Sequence, residues 1–267
     1  MKIILSRKGF DSQYGGYPSP ILPNGRMISF PIPLETDINF YKNLKFEKGK
    51  TYCDLMKELG IKDSILESSC HVDPDIYRDI KERPTNWRQL FGQIGSAQGH
   101  LEKKGIKSGD IFLFFGTFQK TELTKDGKLK FDKKDKPKHV IFGYLQIEKI
   151  IKNKKDVEEW MKYHPHYERD WNKNNTIYVA KDKLSWNSDI PGAGIFSYNK
   201  SLVLTSVGRS KSYWDIPILK GKKISYHNDA SWKDGILKTV GRGQEFVIDD
   251  DAEVEEWVKK LIENNCA

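Results

Sequence analysis

The segments Ile-Phe-Leu-Phe-Phe-Gly-Thr-Phe at residues 111–118 and His-Val-Ile-Phe-Gly-Tyr-Leu-Gln-Ile-Glu at residues 139–148 decide the fold. Both are rich in β-branched and aromatic side chains, which favours buried β-strands. The lysine-rich segment between them contains Asp126-Gly127, a dipeptide typical of tight turns. We therefore predict two long strands joined through a lysine-rich hairpin insertion at residues 119–138.

Weaker strand and helix patterns lie on both sides of this pair. Further strands are predicted at residues 2–6, 176–180, 201–205, 223–227 and 244–248, and helices at residues 51–59, 86–104 and 155–163, with a C-terminal helix after Asp251. Strands and helices do not alternate regularly, which argues against a doubly wound parallel sheet. We expect an α+β fold with a curved or barrel-like mixed sheet, peripheral helices and a C-terminal helix. Because no repeat or flexible linker interrupts the chain, residues 1–267 are expected to form one domain.

Composition limits the function only loosely. The formal net charge is +8 and the pI is about 9.1, and a basic surface favours polyanions. However, residues 120–138 contain eight lysines against four acids, so half of the excess charge lies in one predicted hairpin. The three cysteines have no metal-type spacing and fit a reducing cytoplasm. No apolar run is long enough to span a bilayer, so no membrane partner is expected.

The first candidate site follows the opening strand. In Ser-Arg-Lys-Gly-Phe-Asp-Ser at residues 6–12, polar groups leave a strand directly into a glycine-containing loop, a common arrangement for binding residues. Arg7 offers a planar fork suited to phosphate, with Lys8 and Ser12 as further phosphate ligands. Asp11 could act as a catalytic base, or it could simply pair with Arg7.

The second candidate site is the glycine-rich segment at residues 92–100, Gly-Gln-Ile-Gly-Ser-Ala-Gln-Gly-His. Small residues let the backbone approach a ligand, and free N–H groups at a helix start can bind phosphate. Gly95, Ser96 and Gln98 are therefore candidate phosphate or nucleotide ligands, and His100 is a candidate catalytic group. The alternative is tight helix packing through the glycines.

The third candidate site lies on the last predicted strand. Gln244 and Glu245 fall on opposite faces of that strand, and Glu245 shares its face with Val247, so it is expected to point inward. A buried carboxylate is costly unless it is paired, and Arg7 or Arg242 is the expected partner. Glu245 is accordingly either a salt-bridge residue or a catalytic acid or base.

Two histidine pairs could point in one direction. His71 and Asp73, like His164 and His166, are separated by one residue, and alternate residues of an extended chain share a face. Such pairs would suit a divalent metal, but no ligand helix accompanies them. The favoured interpretation is hydrogen-bonding or substrate-facing histidines, with His166 contacting nucleotide, and no metal is predicted. His139 opens a strand and is expected to be structural.

These segments also resemble a known family, the third of the nucleotide modification associated domain families. The resemblance is to motifs in the same order along nearly the whole chain, namely Ser-Arg-Lys-Gly-Phe-Asp-Ser at 6–12, Pro-Ser-Pro-Ile at 18–21, Gly-Ser-Ala-Gln-Gly-His-Leu at 95–101, Gly-Asp-Ile-Phe-Leu-Phe-Phe-Gly at 109–116, His-Val-Ile-Phe-Gly-Tyr-Leu-Gln at 139–146, His-Pro-His at 164–166, Pro-Gly-Ala-Gly at 191–194 and Gly-Gln-Glu-Phe-Val at 243–247. It implies a role beside DNA base-modification systems of bacteria and phages. It supplies no reaction, no cofactor and no catalytic residue.

Two analogies at the level of the fold give different functions. The strand pair around residues 109–116 and 143–148 is similar to that of PUA-like modules, which hold a flipped or modified base. Arg7 and Glu245 instead follow the order of the arginine and glutamate that grip NAD in ADP-ribosyltransferases. The main hypothesis is an enzyme that modifies a DNA or nucleotide base, in a pocket formed by both ends of the chain. Its expected partners are DNA or nucleotides and other base-modification enzymes. The alternatives are a non-catalytic reader and an ADP-ribosyltransferase-like enzyme using Arg7 and Glu245.

Overall fold

A computed structural model describes residues 1–241 and 244–266 of the chain. Within these residues the α-helices are α1 Tyr52–Glu58, α2 Asp63–Leu66, α3 Gly95–Lys103 and α4 Ala252–Glu263. The strands are β1 Ile3–Arg7, β2 Ser19–Ile21, β3 Ile32–Pro33, β4 Asn39–Phe40, β5 Lys45–Glu47, β6 Lys50–Thr51, β7 Ser69–His71, β8 Leu90–Gln93, β9 Ile111–Leu123, β10 Leu129–Phe131, β11 Lys138–Ile151, β12 Thr176–Ala180, β13 Lys183–Leu184, β14 Asn187–Pro191, β15 Ala193–Ile195, β16 Tyr213–Trp214, β17 Trp232–Lys233, β18 Ile236–Lys238 and β19 Glu245–Ile248. The predicted α+β class is confirmed.

One large mixed sheet organises the molecule. Among the described residues it contains nine strands, with the order β19-β1-β9-β11-β12-β8 and with β2, β10 and β15 attached to its long strands. β1 pairs in parallel with β9 and antiparallel with β19. The outer strands β19 and β8 are not paired with each other, so the sheet is not closed into a barrel. The long strands β9 and β11 are the two that the aromatic segments predict.

The main buried core contains elements from both ends of the chain. β1, β9, β11 and β19 contribute to one buried cluster, together with the apolar face of α4 at Val254, Val258, Leu261 and Ile262. Asp251 caps α4 by accepting hydrogen bonds from the N–H groups of Glu253 and Val254. A second buried cluster, built largely from residues 10–80, includes Phe10, Phe30, Tyr41 and Tyr52. The predicted C-terminal helix and the helix capped by Thr51 are confirmed.

The predicted helix over residues 86–104 is wrong in its first half. Leu90–Gln93 forms β8 and pairs with β12, and the helix begins only at Gly95. Gly95 has φ +66°, a left-handed conformation that interrupts a right-handed helix. The apolar spacing of this segment suited a helical stripe, but pairing with a buried neighbouring strand decides the outcome.

Three other predicted elements differ from the structure. Residues 155–163 form two separate 3-10 turns, because Val157 and Glu158 have extended backbones. The predicted strand at 201–205 is replaced by a 3-10 turn and two isolated bridges, and the one at 223–227 by a single bridge from Ile224 to Ile248. Val203 and Ile224 therefore pair with β11 and β19 through single bridges only, and neither segment forms a strand. Within the described part of the chain, no helix has the length and apolar character that crossing a membrane requires.

Candidate functional site

A polar pocket opens where β1 leaves the sheet. Its volume is about 440 Å³, within the range of about 300–1,000 Å³ that is usual for small-molecule sites. The walls come from the loop after β1, the end of β7, the end of β8 and the 3-10 turn Pro165–Glu168. Its polar side chains are those of Arg7, Lys8, Asp11, Gln13, Tyr14, His71, Asp73, Gln93, His166, Arg169 and Gln244.

The pocket brings together some of the predicted site residues. Arg7, Lys8, Asp11, His166 and Gln244 line it. Arg7 donates a hydrogen bond through Nη2 to the carbonyl of Gly241 (3.0 Å), and burial lowers the pKa of its guanidinium. One carboxylate oxygen of Asp11 accepts the N–H groups of Gln13 and Tyr14, which fixes the turn of the loop.

Other predicted residues lie away from the pocket wall. Gln98 is buried inside α3 and accepts a hydrogen bond from the Tyr178 hydroxyl (2.9 Å). The His100 ring lies 4.5 Å from that of Tyr226, and burial lowers the pKa of His100. Ser12 and Gly95 are next to wall residues in the chain, and Ser96 is one residue further on, but none of the three lines the pocket.

Glu245 lies behind the pocket wall rather than on it. Its side chain is 1% exposed, and Oε1 accepts hydrogen bonds from Lys8 Nζ (2.8 Å) and Gln93 Nε2 (2.6 Å). The expected inward orientation is therefore present, but the partner is Lys8 rather than Arg7. The other expected partner, Arg242, lies outside the described residues. Lys8 and Gln93 both face the pocket as well, so they connect the buried carboxylate to it.

The two histidine pairs meet at the pocket floor. We call His71, Asp73, His164 and His166 the histidine cluster. Asp73 Oδ2 lies 3.9 Å from His71 Nε2, and Asp73 Oδ1 lies 3.3 Å from His164 Nε2. The His166 ring lies 5.2 Å from the His71 ring, between centroids. His164 and His166 occupy the start of a 3-10 turn rather than an extended segment, so they reach Asp73 by a different geometry from the one predicted.

Gly92 makes this arrangement possible. Its N–H donates to Asp73 Oδ1 (2.7 Å), and a Cβ at this position would lie 2.2 Å from carbon atoms of the His166 ring. The close backbone approach that the glycine pattern predicted therefore involves His166 of the chain itself. Sequence reasoning identified each histidine pair but missed Gln93 and Arg169, because nothing in their local pattern separates them from ordinary polar residues.

Burial and nearby groups shift the pKa values of Asp73 and His166 in the histidine cluster. Burial raises the pKa of Asp73, but the contact with His164 and the other nearby imidazoles outweigh burial and lower that pKa to about 2. Burial lowers the pKa of His166 to about 3. At neutral pH the pocket floor therefore holds a carboxylate beside an uncharged imidazole.

The fold and pocket define an α+β protein whose pocket is lined by the cationic side chains of Arg7, Lys8 and Arg169 together with histidine and carboxylate groups. The sequence matches the family model described as nucleotide modification associated domain 3 over residues 2–249, so the chain belongs to that family. The match covers the whole sheet and every pocket residue, whereas α4 lies beyond it. No curated protein and no solved structure showed a significant match.

Proposed function

We propose that the protein binds a nucleotide, free or within DNA, in this pocket and takes part in modifying its base. The observation that carries the proposal is the combination of the cationic side chains of Arg7, Lys8 and Arg169 with histidine and carboxylate groups in one pocket, in a chain of a nucleotide modification associated family. A guanidinium binds phosphate through two parallel N–H groups. Arg7 is therefore the proposed phosphate ligand.

The remaining wall residues suit a base. Tyr14 lines the pocket and is 43% exposed, so its ring is accessible for stacking on a base. The amide of Gln244 lines the pocket and can offer a donor and an acceptor to a base edge, whereas the Gln93 amide is held by Glu245 Oε1 and the Ile94 N–H. Asp11 has one carboxylate oxygen committed to the loop, and its second oxygen is a candidate proton acceptor for the chemistry.

A base-modifying enzyme fits this geometry better than either alternative. A reader needs base contacts only, whereas this floor concentrates a carboxylate and imidazoles, which are acid–base groups. Glu245 would have to leave Lys8 and Gln93 before it could touch a ligand, so the ADP-ribosyltransferase alternative gains no support from its position. We propose DNA or nucleotides as the partners, in company with other base-modification enzymes.

The test is calorimetric titration with nucleoside monophosphates and with unmodified and base-modified oligonucleotides. Arg7→Ala should weaken binding by about tenfold or more, the loss of one charge-assisted hydrogen-bonding group. Lys155→Ala is the matched control, because it removes the same charge from an exposed residue that does not line the pocket. Equal affinities for wild type and Arg7→Ala, or no binding by folded wild type, would refute the proposal. Saturable binding with no base product by mass spectrometry would favour the reader.

A further inference from the structure

We infer that His71, Asp73 and His166 form a binding site for one divalent first-row transition-metal ion on the pocket floor. We call these residues the metal triad. One ligand atom of each lies within 4.8 Å of the ligand atoms of the other two. All three residues line the pocket, so an ion held there would keep coordination positions open to a bound molecule. The inference is independent of the proposed nucleotide, because the chain alone supplies these ligands.

The hydrogen bonds around His71 fix its tautomer. Its Nδ1 lies 2.7 Å from Asp37 Oδ2. An ionised carboxylate only accepts hydrogen bonds, and Arg169 holds Asp37 in this place by donating to Oδ2 (3.2 Å). Arg169 Nη2 also lies 3.4 Å from His71 Nδ1, but the shorter contact with the carboxylate decides the tautomer. Nδ1 therefore carries a proton, and in the neutral tautomer Nε2 presents its lone pair to the pocket.

The same argument holds for His166, with an amide in place of the carboxylate. Asn175 donates through Nδ2 to the backbone carbonyl of His166 (2.6 Å), so its Oδ1 is the atom that lies 2.7 Å from His166 Nδ1. An amide oxygen only accepts, so Nδ1 must donate. Nε2 of His166 then also presents a lone pair. Such outer partners, which orient the imidazole and set its tautomer, are typical of metal-ligating histidines.

Asp73 completes the triad with a free oxygen. Its Oδ1 is occupied by the Gly92 N–H and the nearby His164. Oδ2 is left facing His71 Nε2 at 3.9 Å. Within residues 1–241 and 244–266, no hydrogen bond reaches Asp73 Oδ2 or either Nε2. With both rings in the neutral tautomer, the ligand atoms of the three residues are all acceptors, and a cation at their centre would convert their mutual repulsion into attraction.

The donor set selects the class of ion. Two imidazoles and one carboxylate suit Fe²⁺, Mn²⁺, Co²⁺, Ni²⁺ or Zn²⁺, whereas Mg²⁺ and Ca²⁺ prefer oxygen donors throughout. Bonds of about 2.0–2.2 Å place ligand atoms about 3.0–3.5 Å apart. His71 Nε2 and Asp73 Oδ2, now 3.9 Å apart, would need to approach by less than about 1 Å, which side-chain torsions can supply. An ion with open positions is of the catalytic rather than the structural kind.

The experiment is titration of chelator-treated full-length protein with Co²⁺, followed by calorimetry and by the visible absorption of the bound ion. We expect one Co²⁺ per chain and no comparable uptake of Mg²⁺. Asp73→Asn retains the acceptor for the Gly92 N–H but removes the charge, and His166→Gln removes the imidazole. Each should weaken Co²⁺ binding by more than about 100-fold, since changes to outer partners alone cost about 10–100-fold.

The control variant is His227→Gln, which removes a histidine that does not line the pocket. It should bind Co²⁺ like wild type. Circular dichroism checks that every variant is folded. Failure of folded wild type to bind Co²⁺, or equal binding by wild type and a folded Asp73→Asn/His166→Gln double variant, would overturn the metal site. Nucleotide titration of the same samples separates the two proposals, because Co²⁺ uptake without nucleotide binding supports the metal site and refutes the proposed function.

Discussion

Two regions of the molecule bury imidazole rings and use them in opposite ways. In the aromatic cluster, which consists of Phe115, His139, Trp214 and Phe246, the His139 ring is packed edge-to-face against Phe115 and Trp214. Its Nδ1 accepts a hydrogen bond from Trp214 Nε1 (3.0 Å). In the histidine cluster, by contrast, the satisfied nitrogens of His71 and His166 face outer partners, and the acceptor nitrogens face a pocket.

Burial alone therefore does not distinguish a structural histidine from a functional one. Burial lowers the pKa of both His139 and His166 to about 3. What differs is the direction of the remaining lone pair. His139 directs it at a tryptophan N–H inside the core, whereas His166 directs it at a polar cavity beside a carboxylate. The first arrangement stabilises the fold, and the second leaves capacity for a ligand.

The largest loss of stability is expected from Trp214→Ala in the aromatic cluster, and it tests whether the two clusters contribute differently to the free energy of unfolding. Trp214 is fully buried, and truncating a buried tryptophan costs about 3–5 kcal/mol. His166→Gln should cost clearly less, since it replaces one polar side chain on the pocket floor by another, while it weakens Co²⁺ binding by more than about 100-fold. Urea unfolding of both variants measures the difference. A cost for His166→Gln as large as that for Trp214→Ala would mean that the histidine cluster is structural.

The second effect is the pH dependence of stability that comes from His139. Its pKa is about 3 in the folded protein, against an ordinary value of 6.5, so below pH 6.5 the unfolded chain takes up a proton that the folded chain refuses. The stabilising contribution of neutral His139 is complete above pH 6.5 and is lost progressively as the pH falls towards 3. At pH 4.5 the loss is about 2–3 kcal/mol.

The measurement is urea unfolding at pH 7.5 and pH 4.5 for wild type and His139→Asn. The asparagine oxygen replaces Nδ1 as the acceptor for Trp214 and does not titrate. His139→Asn should therefore lose about 2 kcal/mol less than wild type between the two pH values, although it starts less stable. An identical loss in both proteins would show that His139 is not the group that titrates.

The sequence predicts the frame of the fold better than the candidate site. Some elements could be predicted directly from the sequence, namely the strands β9 and β11 and the helix α4. Each of them combines one pattern of apolar residues with clear signals at its ends. The segment from Trp87 to Ile94 could not, since its apolar spacing fits either a helix or a doubly buried strand, and only pairing with β12 decides between them.

The candidate site is still harder to predict from the sequence, because it depends on contacts between distant segments of the chain. Local spacing could pair His71 with Asp73 and His164 with His166, but nothing in the sequence brings the two pairs together across more than 90 residues. That meeting depends on Gly92, which lies under the His166 ring. The contact of Glu245 with Lys8 rather than Arg7 shows the same limit, because the two residues are adjacent in the chain and only the direction of each side chain at the end of β1 distinguishes them.

The third largest change in stability is expected from Gly92→Ala, which should also reduce Co²⁺ uptake. The added Cβ would lie 2.2 Å from the His166 ring, too close for any small adjustment, so the ring must move away from Asp73. Overpacking of this kind costs about 1–3 kcal/mol. Co²⁺ uptake should fall together with stability, and calorimetry with urea unfolding measures both. Unchanged uptake in a folded Gly92→Ala protein would separate Gly92 from the positioning of His166.

The smallest effect, and the only stabilising one, is expected from Gly99→Ala. Gly99 lies inside α3, and the nearest atom to an added Cβ is Asn174 Nδ2 at 3.6 Å, an ordinary contact distance. Replacing glycine by alanine in a helix interior contributes up to about 1 kcal/mol. The urea midpoint should therefore rise with an unchanged slope, and Co²⁺ uptake should stay at the wild-type level.

A destabilised Gly99→Ala protein would mean that the backbone of α3 needs glycine at this position for a close approach, as β8 does at Gly92. The two glycines are seven residues apart, Gly92 in β8 against the His166 ring and Gly99 in α3 with room for a side chain. This pair of variants therefore tests whether the pocket depends on the histidine contact or on general flexibility of the glycine-rich segment.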